Sequence, residues 1–204
     1  MDAKIRPTPR LTPLPVDTNP ELKDIFDAAR NRMGFVPNDQ LIMQRKPKIL
    51  KALAALSAAI NDPDSTVPNN FKRLIGHVAS RSAGCQYCMA HTAEGAHRQG
   101  IDEQKLDAVW NYQTSSLFTA AERAALDLAV AAGTVPNAVT DDMFIDLKKH
   151  WTEEQIVEIV AVIAISGFYN RWNETMATPL EDESTHFAES HLAQHGWSIG
   201  KHAR

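Results

Sequence analysis

Two cysteines and a histidine near the middle of the chain have the spacing of a thiol redox group. Cys85 and Cys88 are the chain's two cysteines, and His91 follows three residues later. Residues three apart share one face of an α-helix, so the two sulfur atoms could close a disulfide across one turn. The positive end of a helix stabilises a thiolate, and an imidazole can take the thiol proton or stabilise the anion. The spacing therefore predicts dithiol chemistry.

Two other interpretations of the cysteines stay open. Buried cysteines can be inert packing residues. Alternatively, His77, Cys85, Cys88 and His91 offer four ligand types that zinc accepts, although the chain has no second Cys-x-x-Cys pair. Because His91 continues the helical alignment of the thiols, we favour redox use and expect neither a metal nor a cofactor.

The elements around this group are predicted to be helices. An apolar stripe that begins at Phe71 runs to Gly84, which separates it from a second helix over Gln86–Gln99. Cys85 then lies near the start of the second helix, and Gly100 is positioned to end it. The turn at Gly84 is therefore expected to place both thiols at a helix N-terminus.

The rest of the chain has the same 3.6-residue periodicity from Glu21 onward. Thr119 and Glu122 form a capping box, and Thr140 and Thr152 are predicted helix starts. The apolar helix after Thr152 is expected to be buried on most sides. No strand alternation appears, so the predicted fold is all-α.

The predicted organisation is one helical domain at 21–181, preceded by a proline-rich arm at 1–20 and followed by an exposed helical tail at 182–204. The prolines of the arm exclude a helix there, so it either lies on a neighbouring subunit or is a loose tail. Gly34-Phe-Val-Pro37 and Gly133-Thr-Val-Pro136 are similar, which suggests a weak internal two-fold repeat.

Composition argues against several classes of partner. The net charge is −4 and the basic residues are not clustered, so nucleic acid is not an expected partner. The most apolar run, Ile156 to Tyr169, is shorter than the ~20 residues of a spanning helix, and the N-terminus has no apolar signal core. We therefore expect a cytoplasmic protein that does not bind membranes.

The segment Gly84-Cys85-Gln-Tyr-Cys88-Met-Ala-His91-Thr92 resembles the alkylhydroperoxidase D / carboxymuconolactone decarboxylase superfamily, in particular its peroxidase-related branch. The resemblance implies an all-helical homo-oligomer, a trimer or hexamer and less commonly a dimer. It also implies reduction of a hydroperoxide substrate, with a dithiol protein as the reductant. By this resemblance Cys88 attacks the peroxide and Cys85 resolves, whereas proximity to the helix start alone would favour Cys85 as the more acidic thiol.

Two positions depart from the peroxidase pattern. Arg73 stands where these members carry a glutamate, and the histidine expected at position 92 is Thr92, with His91 one residue earlier. His77 and Glu94 are possible substitutes in the proton relay. A helix-packing histidine and a solvated surface carboxylate are the plainer interpretations of these two residues.

The predicted function is thus a thiol-dependent peroxidase of the alkylhydroperoxidase type. A decarboxylase-type lyase is the alternative enzyme, although lactone decarboxylases generally lack the paired cysteines. A helical oligomer whose cysteines only sense oxidation is the alternative without catalysis. Asn170, Trp172 and Asn173, at the end of the apolar helix, are expected to line a site or an interface or to cap that helix.

Overall fold

The computed structural model describes residues 9–203, and the all-α prediction is confirmed, since no β-strand occurs within that range. The α-helices are α1 (Lys23–Met33), α2 (Asn38–Met43), α3 (Pro47–Ile60), α4 (Asn69–Ser82), α5 (Gln86–Arg98), α6 (Glu103–Asp107), α7 (Ala120–Gly133), α8 (Asp141–Leu147), α9 (Glu153–Met176) and α10 (Asp182–His191). Short 3-10 turns precede α1, follow α6 and α10, and lie near the C-terminus.

The helix ends follow the capping residues that the sequence predicts. Thr119 and Thr152 both form complete capping boxes, and the Thr140 side chain accepts a hydrogen bond from the Met143 backbone. Gly34, with φ of +84°, ends α1 in the left-handed conformation that favours glycine. The short helices α2 and α6 were not predicted, because five or six residues are too few to show a helical period.

Helix α4 is the centre of the packing and contacts α5, α7 and α9. Its apolar side chains Leu74, Ile75 and Val78 are fully buried. A Cβ added to Gly133 would lie 2.8 Å from the Ala79 carbonyl oxygen, so a glycine is needed where α7 approaches α4. The two helices that flank the cysteines, α4 and α5, are therefore held in a rigid core.

A buried ion pair ties α4 to α9. Lys72 is 2% exposed, and its ammonium group lies 2.9 Å from the Glu158 carboxylate. Burial disfavours the charge on Glu158, but hydrogen bonds from Ser65 and Lys72 outweigh it and lower the pKa of Glu158 to about 2. Glu158 is therefore ionised at neutral pH, and its contacts hold the loop between α3 and α4 against α9.

The expectation that the helix after Thr152 is buried on most sides is wrong. Ile156, Ile159 and Ile163 face the core, but Val157 and Phe168 are 68% and 39% exposed. Both faces of the helix are apolar, so the sequence pattern alone could not distinguish the buried face from the exposed one.

The C-terminal segment is helical as predicted, but it is not an exposed tail. Leu192, Trp197 and His202 are buried, and α10 packs against α5. The Trp197 indole donates a hydrogen bond to the Gln86 backbone oxygen at 2.9 Å. Three apolar or aromatic residues spread over eleven positions were too sparse to indicate this packing.

The described part of the proline-rich arm, 9–20, contains no α-helix and lies on the same chain. The backbone N–H of Arg10 donates to Met176, and that of Leu14 donates to Leu41. The Gln44 side chain also donates to the carbonyl oxygens of Leu14 and Pro15. The first eight residues, including Pro7, lie outside the described part. Among the residues that the structure describes, no helix has the length and hydropathy needed to cross a membrane.

Self-association stays a prediction, and the exposed apolar face of α9 gives it a test. We expect sedimentation of the purified protein to show a species larger than the 22.6 kDa monomer. Val157→Lys should shift the protein toward monomer, because a charge would enter an apolar contact. Ile145→Lys, at an exposed apolar position on α8, is the matched control and should change nothing. A monomeric wild type at micromolar concentration would contradict the prediction.

Candidate functional site

A tight turn between α4 and α5 positions the two cysteines. Gly84 has φ of +74°, which a residue with a side chain rarely adopts. Cys85 follows as the N-cap of α5, and its sulfur accepts a hydrogen bond from the Cys88 backbone N–H at 3.3 Å. The two thiols therefore lie one turn apart at the helix N-terminus, as the sequence predicts.

The two cysteines differ in access. Cys88 is 5% exposed and lines a cavity of about 130 Å³ between α4, α5 and α9, whereas Cys85 is fully buried and does not line it. The cavity also receives side chains from the segment 32–40 and from α3. A small molecule in this cavity can reach the sulfur of Cys88, and the sulfur of Cys85 lies behind it.

An amide and a carboxyl group lie beside the accessible thiol. The Asn173 side-chain N–H group on α9 is 3.6 Å from the Cys88 sulfur and 3.4 Å from a carboxylate oxygen of Asp39. Asp39, on α2, is 5% exposed, and its other oxygen has no hydrogen-bond partner within residues 9–203. It is the one acidic side chain among the described residues that line the cavity.

His91 also lines the cavity and forms an ion pair with Glu181. Its Nε2 lies 2.5 Å from one Glu181 carboxylate oxygen. The Tyr87 hydroxyl donates to the other oxygen at 3.2 Å, and the Asn38 backbone N–H donates to the same atom. The His91 ring stacks on Tyr87 with 4.4 Å between ring centroids and meets the edge of Phe35. The ring is therefore fixed in position by contacts from three segments of the chain.

Burial and charge set the protonation states. Burial acts to lower the pKa of His91, but the Glu181 carboxylate outweighs it and raises that pKa above its ordinary value. Burial raises the pKa of Asp39 to about 6, even with His91 nearby. Burial, together with Cys85, raises the pKa of the Cys88 thiol well above its usual range. These shifts favour a neutral Cys88 thiol and a protonated His91, and a pKa of about 6 leaves Asp39 mostly ionised at neutral pH.

The suggested relay residues His77 and Glu94 do not line the cavity beside Cys88. His77 is fully buried, its Nδ1 lies 3.1 Å from the Met89 carbonyl oxygen, and burial lowers its pKa to about 4. The interpretation of Glu94 as a solvated surface carboxylate is wrong, since it is 7% exposed, pairs with Arg98 and accepts from Ser184 at 2.5 Å. Glu94 lies on the side of α5 that packs against α10, and α10 covers its side chain.

Arg73 and Asn173 do line the cavity, as does Thr92, whose hydroxyl donates to the Cys88 carbonyl oxygen at 2.6 Å. Two residues of the site, Asp39 and Glu181, were not predicted from the sequence. They lie on a short helix and in the loop after α9, and no local pattern links them to the cysteines. Across residues 9–203, no cluster of three or more His, Cys, Asp or Glu side chains could hold a metal ion.

Comparisons with known proteins agree with this fold. Residues 47–131 match the model of the carboxymuconolactone decarboxylase family. The chain is similar to the apo structure of the debrominase Bmp8, with 35% identity, a TM-score of 0.83 and coverage of 88% of this chain and 96% of that one. A Bmp8 variant with a cysteine replaced by alanine, in complex with 2,3,4-tribromopyrrole, gives 33% identity, a TM-score of 0.84 and coverage of 91% and 98%.

A third structure is a protein of unknown function from Agrobacterium tumefaciens, provisionally described as the antioxidant defence protein AhpD. It shares 26% identity and a TM-score of 0.62, with coverage of 68% of this chain and 94% of that one. These similarities confirm the alkylhydroperoxidase D-like fold that the sequence predicts.

The ion pair makes the protonation of His91 a test of the geometry. Glu181→Gln should lower the pKa of His91, because burial is then opposed only by the weaker effects of Asp39 and Glu94. NMR titration of the imidazole signals would measure the shift. Glu174→Gln is the matched control, since Glu174 contacts another buried histidine, His202, at 3.1 Å. An unchanged His91 titration in Glu181→Gln would contradict the described pair.

Proposed function

This chain belongs to the carboxymuconolactone decarboxylase family of the alkylhydroperoxidase D superfamily, and on that premise we propose that it is a thiol-dependent reductase of hydroperoxides. The observation that carries the proposal is the arrangement of the two cysteines. Cys88 lines the cavity, and Cys85 lies buried behind it at the same helix N-terminus. In the proposed reaction Cys88 is the attacking thiol and Cys85 resolves the oxidised product.

The first step is removal of the Cys88 proton, which the site resists at rest because burial raises the pKa of that thiol. Glu181 favours the protonated form of His91, which is a poor proton acceptor. Asp39, with a pKa of about 6, is suited to take the proton near neutral pH. The N–H group of Asn173, which contacts both Cys88 and Asp39, stabilises the thiolate as it forms.

The oxidation then balances within the pair. The thiolate attacks the distal oxygen of the hydroperoxide, the O–O bond breaks, and the released alkoxide takes a proton, for which the protonated His91 side chain lining the cavity is a donor. Cys88 becomes a sulfenic acid. The Cys85 thiol attacks this sulfur, which forms a disulfide and releases water. A dithiol protein as external reductant restores the two thiols.

The similarity to the debrominase Bmp8, at 35% identity, favours reductive dehalogenation as a second candidate. The same two thiols would supply two electrons. The Cys88 thiolate would take the bromine from a ring carbon, so that an S–Br bond forms, the C–Br bond breaks and the carbon accepts a proton. Cys85 would then attack the Cys88 sulfur, expel bromide and form the same disulfide.

Single-cysteine variants test the proposed division of work. With an organic hydroperoxide and dithiothreitol, Cys88→Ser should reduce peroxide consumption to the background rate, because the nucleophile is lost. Cys85→Ser should allow one attack and then accumulate Cys88 as sulfenic and sulfinic acid, because the resolving thiol is absent. Met89→Leu, on the same helix but away from the cavity, is the control and should retain activity. Mass spectrometry and peroxide assays provide the measurements.

The outcomes of that experiment separate the functions. Turnover by Cys88→Ser, or oxidation confined to Cys85, would contradict the assigned order. Bromide release from a bromopyrrole without peroxide turnover would replace the peroxidase with the second candidate. Rapid thiol oxidation without turnover of either substrate would indicate a redox sensor.

The proposed role of Asp39 predicts a pH dependence. Activity should fall as the pH drops through about 6, because the protonated carboxyl group cannot accept the thiol proton. Asp39→Asn should remove that acid limb and lower the rate at pH 7 about a hundredfold, the usual effect of losing a general base. Asp127→Asn is the matched control, since Asp127 accepts from Tyr112 outside this cavity. If activity still falls below about pH 6 in Asp39→Asn, the titrating group is not Asp39.

A further inference from the structure

Two arginines line the cavity without a counter-charge. Arg73 on α4 and Arg32 at the end of α1 both lie on its wall. No ion pair or hydrogen bond joins the terminal nitrogens of either guanidinium to another side chain within residues 9–203. By contrast the other basic side chains of the wall, Lys72 and His91, are paired with Glu158 and Glu181.

The residues around Arg73 leave the terminal nitrogens of its guanidinium without a hydrogen-bond partner. The stem of the side chain packs over Gly95 on α5, where an added Cβ would lie 3.7 Å from the Arg73 Cδ atom. If the Gln99 amide is turned so that its oxygen faces Arg73, it accepts from Nε at 3.2 Å, which uses one side of the guanidinium only. The nearby carboxylate, Glu94, is occupied by Arg98 and Ser184. The two terminal N–H groups thus remain as a fork suited to a planar anion.

The guanidinium stays charged in this environment. Burial and the neighbouring Arg32 lower the pKa of Arg73 to about 10, which still leaves it protonated at neutral pH. Arg73 is partly buried and Arg32 is exposed. A cation that is partly removed from water and has no counter-ion is unfavourable, and a bound anion would offset that cost. The unpaired charge is therefore most simply explained by a ligand that brings the opposite charge.

The charges of the cavity wall that lack an ion-pair partner differ in sign, since Lys72 and His91 are paired with Glu158 and Glu181. Cys88 and the carboxyl group of Asp39 lie at one end, and Arg73 packs on Gly95, seven residues further along α5. Seven residues of α-helix span about 10 Å. That separation suits a molecule whose anionic group and reacting atom are at opposite positions of one aromatic ring. A cavity of similar size, ~150 Å³, holds benzene in another protein.

We infer that the substrate is a small organic anion, a ring compound whose carboxylate or similar group pairs with Arg73 and Arg32 while its electrophilic atom faces Cys88. The inference rests on the proposed function insofar as Cys88 is the nucleophile. Asp39 repels an anionic group from the thiol end, so the two charges together fix the orientation of the molecule.

A pair of alkylating reagents tests this without turnover. 4-(Bromomethyl)benzoate and 4-(bromomethyl)benzamide carry the same electrophilic carbon, which forms an S–C bond with a thiolate and releases bromide. Relative to free cysteine, the wild type should label Cys88 faster with the benzoate. Arg73→Met should reduce the ratio of the two rates roughly tenfold, the effect of losing one charged hydrogen-bond pair. Arg73→Lys should restore part of it, and Arg30→Gln, which removes a charge from α1 outside the cavity, should leave it unchanged.

The outcomes distinguish this inference from the proposed function. An unchanged ratio in Arg73→Met, with Cys88 still labelled by both reagents, would overturn the anion site and leave the thiol chemistry intact. If even iodoacetamide fails to label Cys88 in the folded wild type, the thiol is not accessible and the proposed function falls with the inference. If Arg73→Met does not fold, the inference is tested instead by protection of Cys88 from iodoacetamide in the wild type. Benzoate should slow labelling of Cys88 by iodoacetamide and benzamide should not, and equal effects of the two would overturn the inference.

Discussion

The organisation of the site depends on one buried carboxylate. Glu181 accepts hydrogen bonds from Asn38 at the start of α2 and from Tyr87 on α5, and it pairs with His91 one turn beyond the thiols. A carboxylate that is 4% exposed needs such partners, because an unpaired buried charge would cost several kcal/mol. The hydrogen bonds and the ion pair of the Glu181 carboxylate therefore bring three distant segments together. The same contacts place α2, and with it Asp39, against the accessible thiol.

The division between Cys85 and Cys88 follows from access more than from the helix field. A helix N-terminus stabilises a nearby anion by about 0.3–1 kcal/mol at an exposed position, which would favour the N-cap residue Cys85. Cys85, however, is fully buried and its sulfur already accepts a backbone hydrogen bond. Cys88 faces the cavity and has Asn173 and Asp39 beside it. The access of Cys88 to the cavity and the polar groups beside it thus outweigh the weak preference of the helix dipole for Cys85.

The features that could be predicted from sequence are those that neighbouring residues encode. The alignment of Cys85, Cys88 and His91, the glycine turn before them and the capping boxes at Thr119 and Thr152 all depend on residues within a few positions of each other. Helical periodicity was therefore sufficient for the fold class and for most helix bounds.

The features that could not be predicted depend on contacts between distant segments. Glu181 is ninety positions from His91, and Asp39 and Asn173 are 134 positions apart. Neither carboxylate has a local pattern that distinguishes it from a surface acid. The buried side of α9 was ambiguous because both of its faces are apolar, and the packing of the C-terminal segment depends on single residues such as Trp197.

The departure at Arg73 has a physical meaning in this setting. A glutamate at that point of α4 would place a second negative charge on the wall that already carries Asp39, whereas an arginine adds a positive charge without an ion-pair partner. A small neutral peroxide gains little from such a field, because it has no charge to orient. An anionic molecule is held at one end and repelled at the other, so its reacting atom faces the thiol. In one cavity, Asp39 thus accepts the proton near Cys88, and Arg73 binds the anionic group at a separate position.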